Sequence, residues 1–269
     1  MAPKISIIVS TYTNINGFKY LLKYFENKGY EVIFVDNMPD KDKPYLVHKV
    51  RKVYKNHRGE VMYLPQKKNL GFAAAINHAM RYVKTPWILI LNDDVEFDKV
   101  DGPIEKLVKY AKRNKLAAAA PLLQNSDGSI ENYGYRILPY GRIELVRKDD
   151  KSGGIDGLTA ACLLVDTKMF RKLKGFDEKF FAYLEDVDLF LRLKKMTSTV
   201  NFNVAEEVVV YHHHMKTSDR MGTLKSRLNM INWWRVFFKH PDKIKFSLKF
   251  LVERIRNVNG YLKASIKNM

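Results

Sequence analysis

Short apolar runs alternate with amphipathic segments along the first third of the chain. Four runs rich in branched and aromatic residues predict β-strands at residues 5–9, 31–35, 61–64 and 87–91. Between these runs, apolar residues recur at helical spacing and predict helices at residues 18–25, 44–54 and 72–83. Strands that alternate with helices form parallel sheets whose faces the helices cover. The pattern therefore predicts an α/β fold with a mostly parallel central sheet.

The hydrophobic pattern is weaker in the rest of the chain. Residues 117–151 show no regular period and predict irregular structure, with a turn at residues 125–128. An apolar run at 158–165, a helical pattern at 185–194 and a second apolar run at 208–210 predict a buried segment, a helix and a late strand. We expect a globular domain at residues 1–222, followed by a basic amphipathic helical tail at residues 223–269.

The composition is that of one folded unit. Of the 269 residues, 46% are hydrophobic and 12% aromatic, which is enough for a single well-buried core. The single cysteine, Cys162, excludes an intramolecular disulfide, and its apolar neighbours predict a buried position. No apolar run reaches the roughly 18 residues of a membrane span, and no charged-then-apolar leader opens the chain. We expect a cytoplasmic protein that is at most peripheral to a membrane.

The net charge of +18 calls for an anionic partner or for a Lys-rich solvated surface. Residues 235–269 hold nine Lys and Arg residues against two acidic residues, a net charge of +7. Because these charges interleave with apolar residues at helical spacing, the tail fits an anionic membrane surface. The alternative is that the tail packs on a partner subunit or on its own domain.

Two acidic clusters are candidates for chemistry. The turn Asn92, Asp93, Asp94 follows a buried strand, at the sheet edge where ligands of α/β proteins bind. Two adjacent carboxylates at such an edge suit a divalent cation that bridges diphosphate oxygens, although a helix N-cap would use the same residues.

The second cluster, Glu185 and Asp186, follows the apolar aromatic segment 180–184. A carboxylate beside such a wall has a raised pKa, as a general base requires. Complementing the helix dipole is the structural alternative. Asp188 would point elsewhere on a helix, so we expect it to be structural, and segment 175–178 to be framework.

Three consecutive histidines follow the late strand: His212, His213 and His214. If the strand continues, at most His212 and His214 share a face. One of them is a candidate ligand for the oxygen-rich metal site, and an exposed, solvated run is the alternative.

The motifs together resemble family 2 glycosyltransferases, and within them the rhamnosyltransferase-like branch. The resemblance covers about residues 4–218 and consists of IIVSTY at 7–12, VDN at 35–37, NLGF at 69–72, LNDD at 91–94, GFDEKFF at 175–181 and EDVDL at 185–189. It implies a GT-A type, Rossmann-like, three-layer α/β/α fold over residues 1–222. It also implies inverting, metal-dependent transfer of a hexosyl or deoxyhexosyl group from a nucleotide-diphosphate sugar to a hydroxyl of a glycan or lipid-linked acceptor, as in polysaccharide biosynthesis.

The resemblance implies a donor site at the start of the chain. Asp36 would contact the nucleobase, in a pocket that Thr11 and Tyr12 line. Asn69 would lie near the ribose or the base.

The resemblance also implies the residues of the reaction centre. Asp94 would bind a divalent cation, Mn2+ or Mg2+, and Asp93 would contribute to binding of the nucleotide sugar. Asn92 departs from the aspartate that opens the family's D-x-D motif. Asp186 would be the catalytic base, and His212 best matches a histidine that joins the metal.

Two other functions fit parts of the pattern. A nucleotidyltransferase uses a similar sheet and an acidic metal site, but the cluster after the aromatic wall argues against it. A non-enzymatic nucleic-acid-binding protein would account for the basic charge. No recognisable nucleic-acid-binding motif accompanies that charge, so we expect no nucleic-acid partner.

Overall fold

A computed structural model of the protein describes residues 5–26, 28–39, 44–55, 61–97, 102–125, 127–147, 154–196, 201–213 and 222–267. The strands are β1 Ile5–Thr11, β2 Glu31–Asp36, β3 Val61–Pro65, β4 Trp87–Asn92, β5 Val95–Phe97, β6 Leu116–Gln124, β7 Ile130–Asn132, β8 Tyr135–Leu138, β9 Arg142–Leu145, β10 Cys162–Asp166 and β11 Asn201–His212. The helices are α1 Ile15–Phe25, α2 Pro44–Lys55, α3 Gly71–Ala79, α4 Pro103–Arg113, α5 Thr167–Lys172, α6 Glu185–Met196, α7 Gly222–Lys239 and α8 Leu248–Lys267, with a 3-10 turn at Glu178–Phe180.

The central sheet is mostly parallel, as predicted. Within the described ranges its strand order is β3-β2-β1-β4-β10-β6-β11-β5, and β7 pairs with β6. Strands β1 to β4 run parallel to one another, and β6 runs parallel to β11. Strand β10 is antiparallel to both β4 and β6, so those two neighbours run in the same direction. The hairpin of β8 and β9 lies outside this sheet.

Alternation along the central strands divides the core into two layers. In β1, Ile7 and Val9 belong to a cluster that α1, α2 and α4 cover, whereas Ile8 belongs to a cluster that α3, α5 and α6 cover. In β4, Leu89 and Ile90 divide between the layers in the same way. Because both faces are buried, these strands are continuous apolar runs in the sequence. The result is the predicted three-layer α/β/α arrangement, and Cys162 is buried in it as expected.

Helices α7 and α8 form a third cluster against the main body of the protein. Trp233 and Val236 of α7 and Phe250 of α8 are buried with Phe180 and Leu184, which lie just before α6. Residues 222–239 and 248–267 of the segment predicted as a helical tail form α7 and α8, and α7 packs beside the segment that precedes α6. The domain boundary between residues 222 and 223 stays a prediction. Among the residues described, no helix combines the length and the hydropathy needed to cross a bilayer.

The prediction of irregular structure after residue 117 was wrong in part. Residues 116–124 form β6, a nine-residue strand between β10 and β11. The segment contains four consecutive alanines and Pro121, residue types with low β propensity, and its strand conformation follows from pairing within the sheet. Strand β11 begins at Asn201, before the predicted start at residue 208. The prediction missed the first part of the strand because an irregularity between Ala205 and Val209 interrupts the alternation of its residues.

Candidate active site

A cavity of about 480 Å3 lies at the carboxyl ends of β1 and β4. Its lining includes these predicted site residues: Asp93, Asp94, Asp186 and His212. The other predicted site residues are not part of the lining: Thr11, Tyr12, Asp36 and Asn69. The fold thus brings the acidic turn after β4, the start of α6 and the end of β11 to one space.

Asp94 and His212 lie next to each other in the wall of this cavity. Asp94 lies in the turn between β4 and β5, and β5 pairs antiparallel with the end of β11, His212 opposite Val95. The backbone N–H of His213 donates to the carbonyl oxygen of Asp94 at 3.0 Å. This pairing sets the distance of 3.3 Å between His212 Nε2 and Asp94 Oδ1. His214 lies outside the described residues.

Glu131 of β7, which the sequence did not single out, holds the other side of the His212 ring. Its Oε2 is 2.9 Å from His212 Nδ1. Burial lowers the pKa of His212, but the hydrogen bonds to Asp94 and Glu131 outweigh burial and raise the pKa to about 9. The ring is thus held between two carboxylates, which fix its orientation.

The Asp94–His212 pair fits a divalent cation. Adjacent ligands of one octahedral cation, each at about 2.1 Å from it, lie about 3 Å apart, and these two donor atoms are 3.3 Å apart. A carboxylate on the second ring nitrogen, as Glu131 provides, is the usual partner of a metal-bound histidine. In the described part of the chain, no group of three His, Cys, Asp or Glu side chains has the arrangement of a metal site. Mg2+ commonly takes only one or two protein ligands and completes its shell with water and substrate phosphates.

Asp93 turns towards β1. Its Oδ2 accepts a hydrogen bond from the Thr11 hydroxyl at 2.7 Å, and its carbonyl oxygen accepts one from Asn14 Nδ2 at 2.7 Å. Burial, followed by the charge of Asp94, raises the pKa of Asp93 to about 7. A Cβ on Gly17 would lie 1.7 Å from the Asp93 carbonyl oxygen. The acidic turn therefore rests directly on the first turn of α1.

Asp186 is the second residue of α6. Its Oδ1 accepts from the backbone N–H of Val187 at 2.8 Å, and its Oδ2 accepts from that of Ala160 at 3.4 Å. Burial raises the pKa of Asp186 to about 6. Burial and the charge of Asp186 raise the pKa of the neighbouring Glu185 to about 8. Asp186 is therefore a shielded carboxylate that ionises near neutral pH, as a general base requires.

The loop before Asp186 has an unusual backbone. Phe181, Tyr183 and Leu184 have φ angles of 43°, 67° and 65°, in the left-handed region that side chains disfavour. Tyr183 and Leu184 line the cavity, together with Ala182 between them. Strained backbone is concentrated at functional sites, where surrounding contacts hold it in place. The sequence contains no glycine in this loop, so its conformation could not be predicted.

The predicted nucleobase residues lie at the ends of β1 and β2 and in the turn before α3. Asp36 is fully buried and accepts hydrogen bonds from the Tyr63 hydroxyl and, at 3.0 Å, from the Met38 backbone N–H. Asn69 Oδ1 accepts from the Gly71 N–H at 2.8 Å and shapes the turn before α3. Tyr63 of β3, which the sequence did not single out, thus contacts Asp36, one of the predicted nucleobase residues.

Asp188 belongs to a buried ion-pair network, in agreement with the structural role expected for it. His240, Arg192 and Lys239 lie 2.9, 2.7 and 2.7 Å from its carboxylate. Burial alone would raise the pKa of Asp188, but these partners hold it at about 2. The network joins α6 to the end of α7.

Helix α7 also contributes to the cavity, which the sequence analysis did not predict. Lys225 and Asn229 are part of the lining. The Lys225 ammonium group lies 5.7 Å from the centre of the Tyr183 ring. Lys225 and Asn229 lie in a segment whose pattern is that of a surface helix, so the sequence did not predict that they line the cavity.

The arrangement of strands and helices is that of the GT-A fold. GalNAc-T7, solved with UDP, GalNAc and Mn2+, superposes with a TM-score of 0.61 at 12% identity over 79% of this chain, which spans 44% of that chain. The mannosyltransferase PcManGT from Pyrobaculum calidifontis, solved with GDP-Man and Mn2+, has a TM-score of 0.59 at 14% identity, over 99% of this chain and 74% of that chain.

The chain belongs to glycosyl transferase family 2, whose model matches residues 6–174. It is 26% identical over 215 residues to the N-acetylglucosaminyl-diphospho-decaprenol L-rhamnosyltransferase of Mycobacterium tuberculosis, over 65% of this chain and 69% of that protein. It is also 26% identical over 165 residues to rhamnosyltransferase WbbL of Escherichia coli, over 54% of this chain and 62% of that protein. These findings confirm the rhamnosyltransferase-like resemblance and favour a glycosyltransferase over a nucleotidyltransferase or a non-enzymatic nucleic-acid-binding protein.

Proposed function

We propose that the protein is an inverting, metal-dependent glycosyltransferase. It moves a sugar from a nucleotide-diphosphate sugar to a hydroxyl group of a glycan or lipid-linked acceptor. The observation that carries the proposal is that Asp186, a half-buried carboxylate with a raised pKa, lines the same cavity as the Asp94–His212 pair. A proton acceptor and a candidate cation site therefore border one space of about 480 Å3, large enough for a sugar.

Asp186 is the general base of the proposed reaction. Its carboxylate takes the proton of the acceptor hydroxyl while the hydroxyl oxygen forms a bond to the anomeric carbon. The bond from that carbon to the diphosphate oxygen breaks, and the nucleoside diphosphate leaves with the electron pair. One displacement from the face opposite the leaving group inverts the anomeric centre. The main-chain bonds from Val187 and Ala160 to Asp186 hold its carboxylate in one orientation.

Asp94 and His212 would hold a divalent cation, Mn2+ or Mg2+, which when bound neutralises the charge that develops on the departing diphosphate. Glu131 orients the His212 ring for this role, and Thr11 keeps the adjacent Asp93 carboxylate turned towards β1. The two neighbouring carboxylates thus have different surroundings, which supports a ligand role for Asp94 and a supporting role in donor binding for Asp93.

The nucleotide part of the donor would bind at the ends of β1 and β2, where Thr11, Tyr12, Asp36 and Asn69 lie. Register supports this assignment, since Thr11 pairs with Asp36 and Ser10 with Asn92, so these strands end side by side next to the cavity. The relative from Mycobacterium tuberculosis is named for a diphospho-decaprenol acceptor. We infer that the acceptor of this protein is likewise an anionic lipid-linked glycan, in polysaccharide biosynthesis.

The outer face of α8 supports a peripheral membrane association. Its exposed apolar residues follow helical spacing and share one face: Leu248, Leu251, Val252, Ile255, Val258, Leu262 and Ile266. Phe250 and Arg254 on the opposite face are buried. Basic residues of the helix flank the exposed apolar face: Lys249, Arg256 and Lys263. An apolar stripe with basic flanks is complementary to an anionic lipid surface.

The decisive experiment is a screen of UDP-, GDP- and dTDP-sugars for thermal stabilisation in the presence and absence of Mn2+. The donor that stabilises the protein is then used in transfer assays with wild type and Asp186→Asn. We expect Asp186→Asn to abolish transfer and to keep Mn2+-dependent stabilisation by the nucleotide. Loss of both properties together would contradict the base assignment, and stabilisation that does not depend on Mn2+ would contradict the metal site.

A further inference from the structure

Asn232, a fully buried residue of α7, lies beneath the loop that leads to Asp186. Its Nδ2 is within hydrogen-bonding distance of the carbonyl oxygens of Phe180, Ala182 and Tyr183, at 3.3, 2.9 and 2.6 Å. An amide nitrogen has two hydrogens, so these are shared among the acceptors, and the Tyr183 carbonyl oxygen is the nearest. One side chain thus contacts three carbonyl groups of a single loop.

The orientation of the Asn232 amide follows from its partners. The Asn232 Oδ1 accepts a hydrogen bond from Arg235 Nη1 at 2.6 Å. A guanidinium group only donates, and a carbonyl oxygen only accepts. The amide oxygen must therefore face Arg235, and the amide nitrogen must face the loop.

The loop that Asn232 holds is the strained segment that forms one wall of the cavity. Phe181, Tyr183 and Leu184 have positive φ angles. Segments in such conformations persist only where surrounding contacts hold them. The Leu184 carbonyl oxygen accepts from the Asp188 N–H at 3.0 Å in the first turn of α6, the turn that carries Asp186. A shift of the loop would therefore be transmitted to the start of α6.

We infer that Asn232 is a positioning residue for the reaction. It keeps the loop in its strained conformation, and the loop in turn fixes the Asp186 carboxylate and shields it from water. This inference rests on the proposed role of Asp186 as the base. It makes α7, which lies outside the part of the chain matched by the family model, an integral part of the active site.

The docking of α7 does not depend on Asn232 alone. Trp233 and Val236 of α7 are buried in the same cluster as Phe180, Leu184 and Val187. Lys239 of α7 also pairs with the buried Asp188 at 2.7 Å. Removing the amide of Asn232 therefore leaves the apolar contacts of the helix, so that the effect on the loop can be measured separately.

The test compares Asn232→Ala with Thr223→Val, with the donor sugar identified by the thermal screen. Thr223 Oγ1 donates to the Ala264 carbonyl oxygen at 3.1 Å, so Thr223→Val removes a hydrogen bond between α7 and α8 without touching the loop. We expect Asn232→Ala to lower kcat by about a hundredfold, as for a small misplacement of a reacting group, with little change in the KM of the donor. Thr223→Val should keep the wild-type kcat.

A pH profile separates positioning from a purely structural role. Water that reaches Asp186 in Asn232→Ala would move its pKa back towards the ordinary aspartate value, so the acidic limb of kcat/KM should shift to lower pH. If Asn232→Ala unfolds, Arg235→Met serves instead, because it removes the hydrogen bond to the Asn232 amide oxygen and keeps the amide itself. The fall in kcat and the shift of the acidic limb should then be smaller but in the same direction.

Two outcomes distinguish the possible failures. An unchanged kcat and an unchanged acidic limb in folded Asn232→Ala, with Asp186→Asn inactive, would overturn the positioning role alone. Full activity of Asp186→Asn would overturn the proposed base, and the positioning role with it.

Discussion

The imidazole of His212 lies between two carboxylates, with Nε2 3.3 Å from Asp94 and Nδ1 2.9 Å from Glu131. These three residues come from the turn after β4, from β7 and from the end of β11. Their meeting depends on the order of strands at one end of the sheet, where β6 pairs with both β7 and β11, and β11 pairs with β5. The arrangement gives the candidate metal site one orienting carboxylate in addition to its two ligands.

We predict that His212 and not His213 supports metal binding. Replacing His212 by Ala should remove most of the Mn2+-dependent thermal stabilisation by the nucleotide, because one of the two protein ligands is lost. His213 pairs with Glu96 at 2.7 Å on the other side of the strand end, so His213→Ala is the matched control. Equal losses in the two variants would contradict the assignment.

Glu131 should tune the metal site without binding the metal. Glu131→Gln weakens the hold on the His212 ring, and the affinity for Mn2+ should fall by about 10- to 100-fold, as is typical for the partner of a metal-bound histidine. Titration of Mn2+ against activity measures this affinity. At saturating Mn2+ the variant should regain most of its rate, and failure to do so would indicate a more direct role.

The rate should depend on the ionisation of Asp186. A base acts only when deprotonated, and burial raises the pKa of Asp186 to about 6. We therefore expect kcat/KM to rise with pH through about pH 6 and to level off above it. Burial and the charge of Asp186 raise the pKa of Glu185 to about 8, so Glu185 is still uncharged near pH 6 and Glu185→Gln should leave this limb in place. A profile that stays flat between pH 5 and 7 would contradict Asp186 as the base.

Gly17 should be required for the acidic turn. In Gly17→Ala the new Cβ would meet the Asp93 carbonyl oxygen at 1.7 Å, so the turn or the helix must move. We expect a loss of about 1–3 kcal/mol in the free energy of unfolding, as for overpacked sites, together with weaker Mn2+ binding. Gly260 of α8 has open space around it, and Gly260→Ala should instead stabilise the protein by about 0.5–1 kcal/mol. Urea unfolding curves measure both changes.

The outer face of α8 should bind anionic lipid. The triple variant Leu248→Ser, Ile255→Ser, Ile266→Ser removes side chains that are 78%, 59% and 73% exposed, so the fold should persist. Each apolar side chain that the lipid surface buries contributes about 1.5–3 kcal/mol to the free energy of binding. Binding of the triple variant to phosphatidylserine vesicles in a co-sedimentation assay should therefore fall at least about tenfold.

Two comparisons control the vesicle experiment. Tyr45→Ser removes an exposed aromatic side chain of α2, away from this face, and should bind like wild type. Neutral phosphatidylcholine vesicles should bind the wild type weakly, because the basic flanks then lack a partner. Unchanged vesicle binding in the triple variant, with a change from dimer to monomer in size-exclusion chromatography, would make the face a subunit interface instead.

Much of the first half of the fold could be predicted from local pattern. Strands β1, β2 and β4 are buried on both faces and are therefore visible as apolar runs, and the helices between the first four strands show helical spacing. Strand β6 could not be predicted in this way, since Ala117 and Pro121 do not favour strands on their own. Its pairing with β10 and β11 decides its conformation.

The sequence by itself determined the α/β class, the resemblance to the family, and the candidates Asp93, Asp94, Asp186 and His212, because each of these follows or begins an element with a clear local pattern. Only the tertiary structure decided that Glu131 orients His212 and that Asn232 holds the loop before Asp186. These contacts join residues 81 and 49 positions apart. No local pattern in the sequence predicts contacts between residues so far apart, because these contacts depend on the order of strands in the sheet and on where α7 packs.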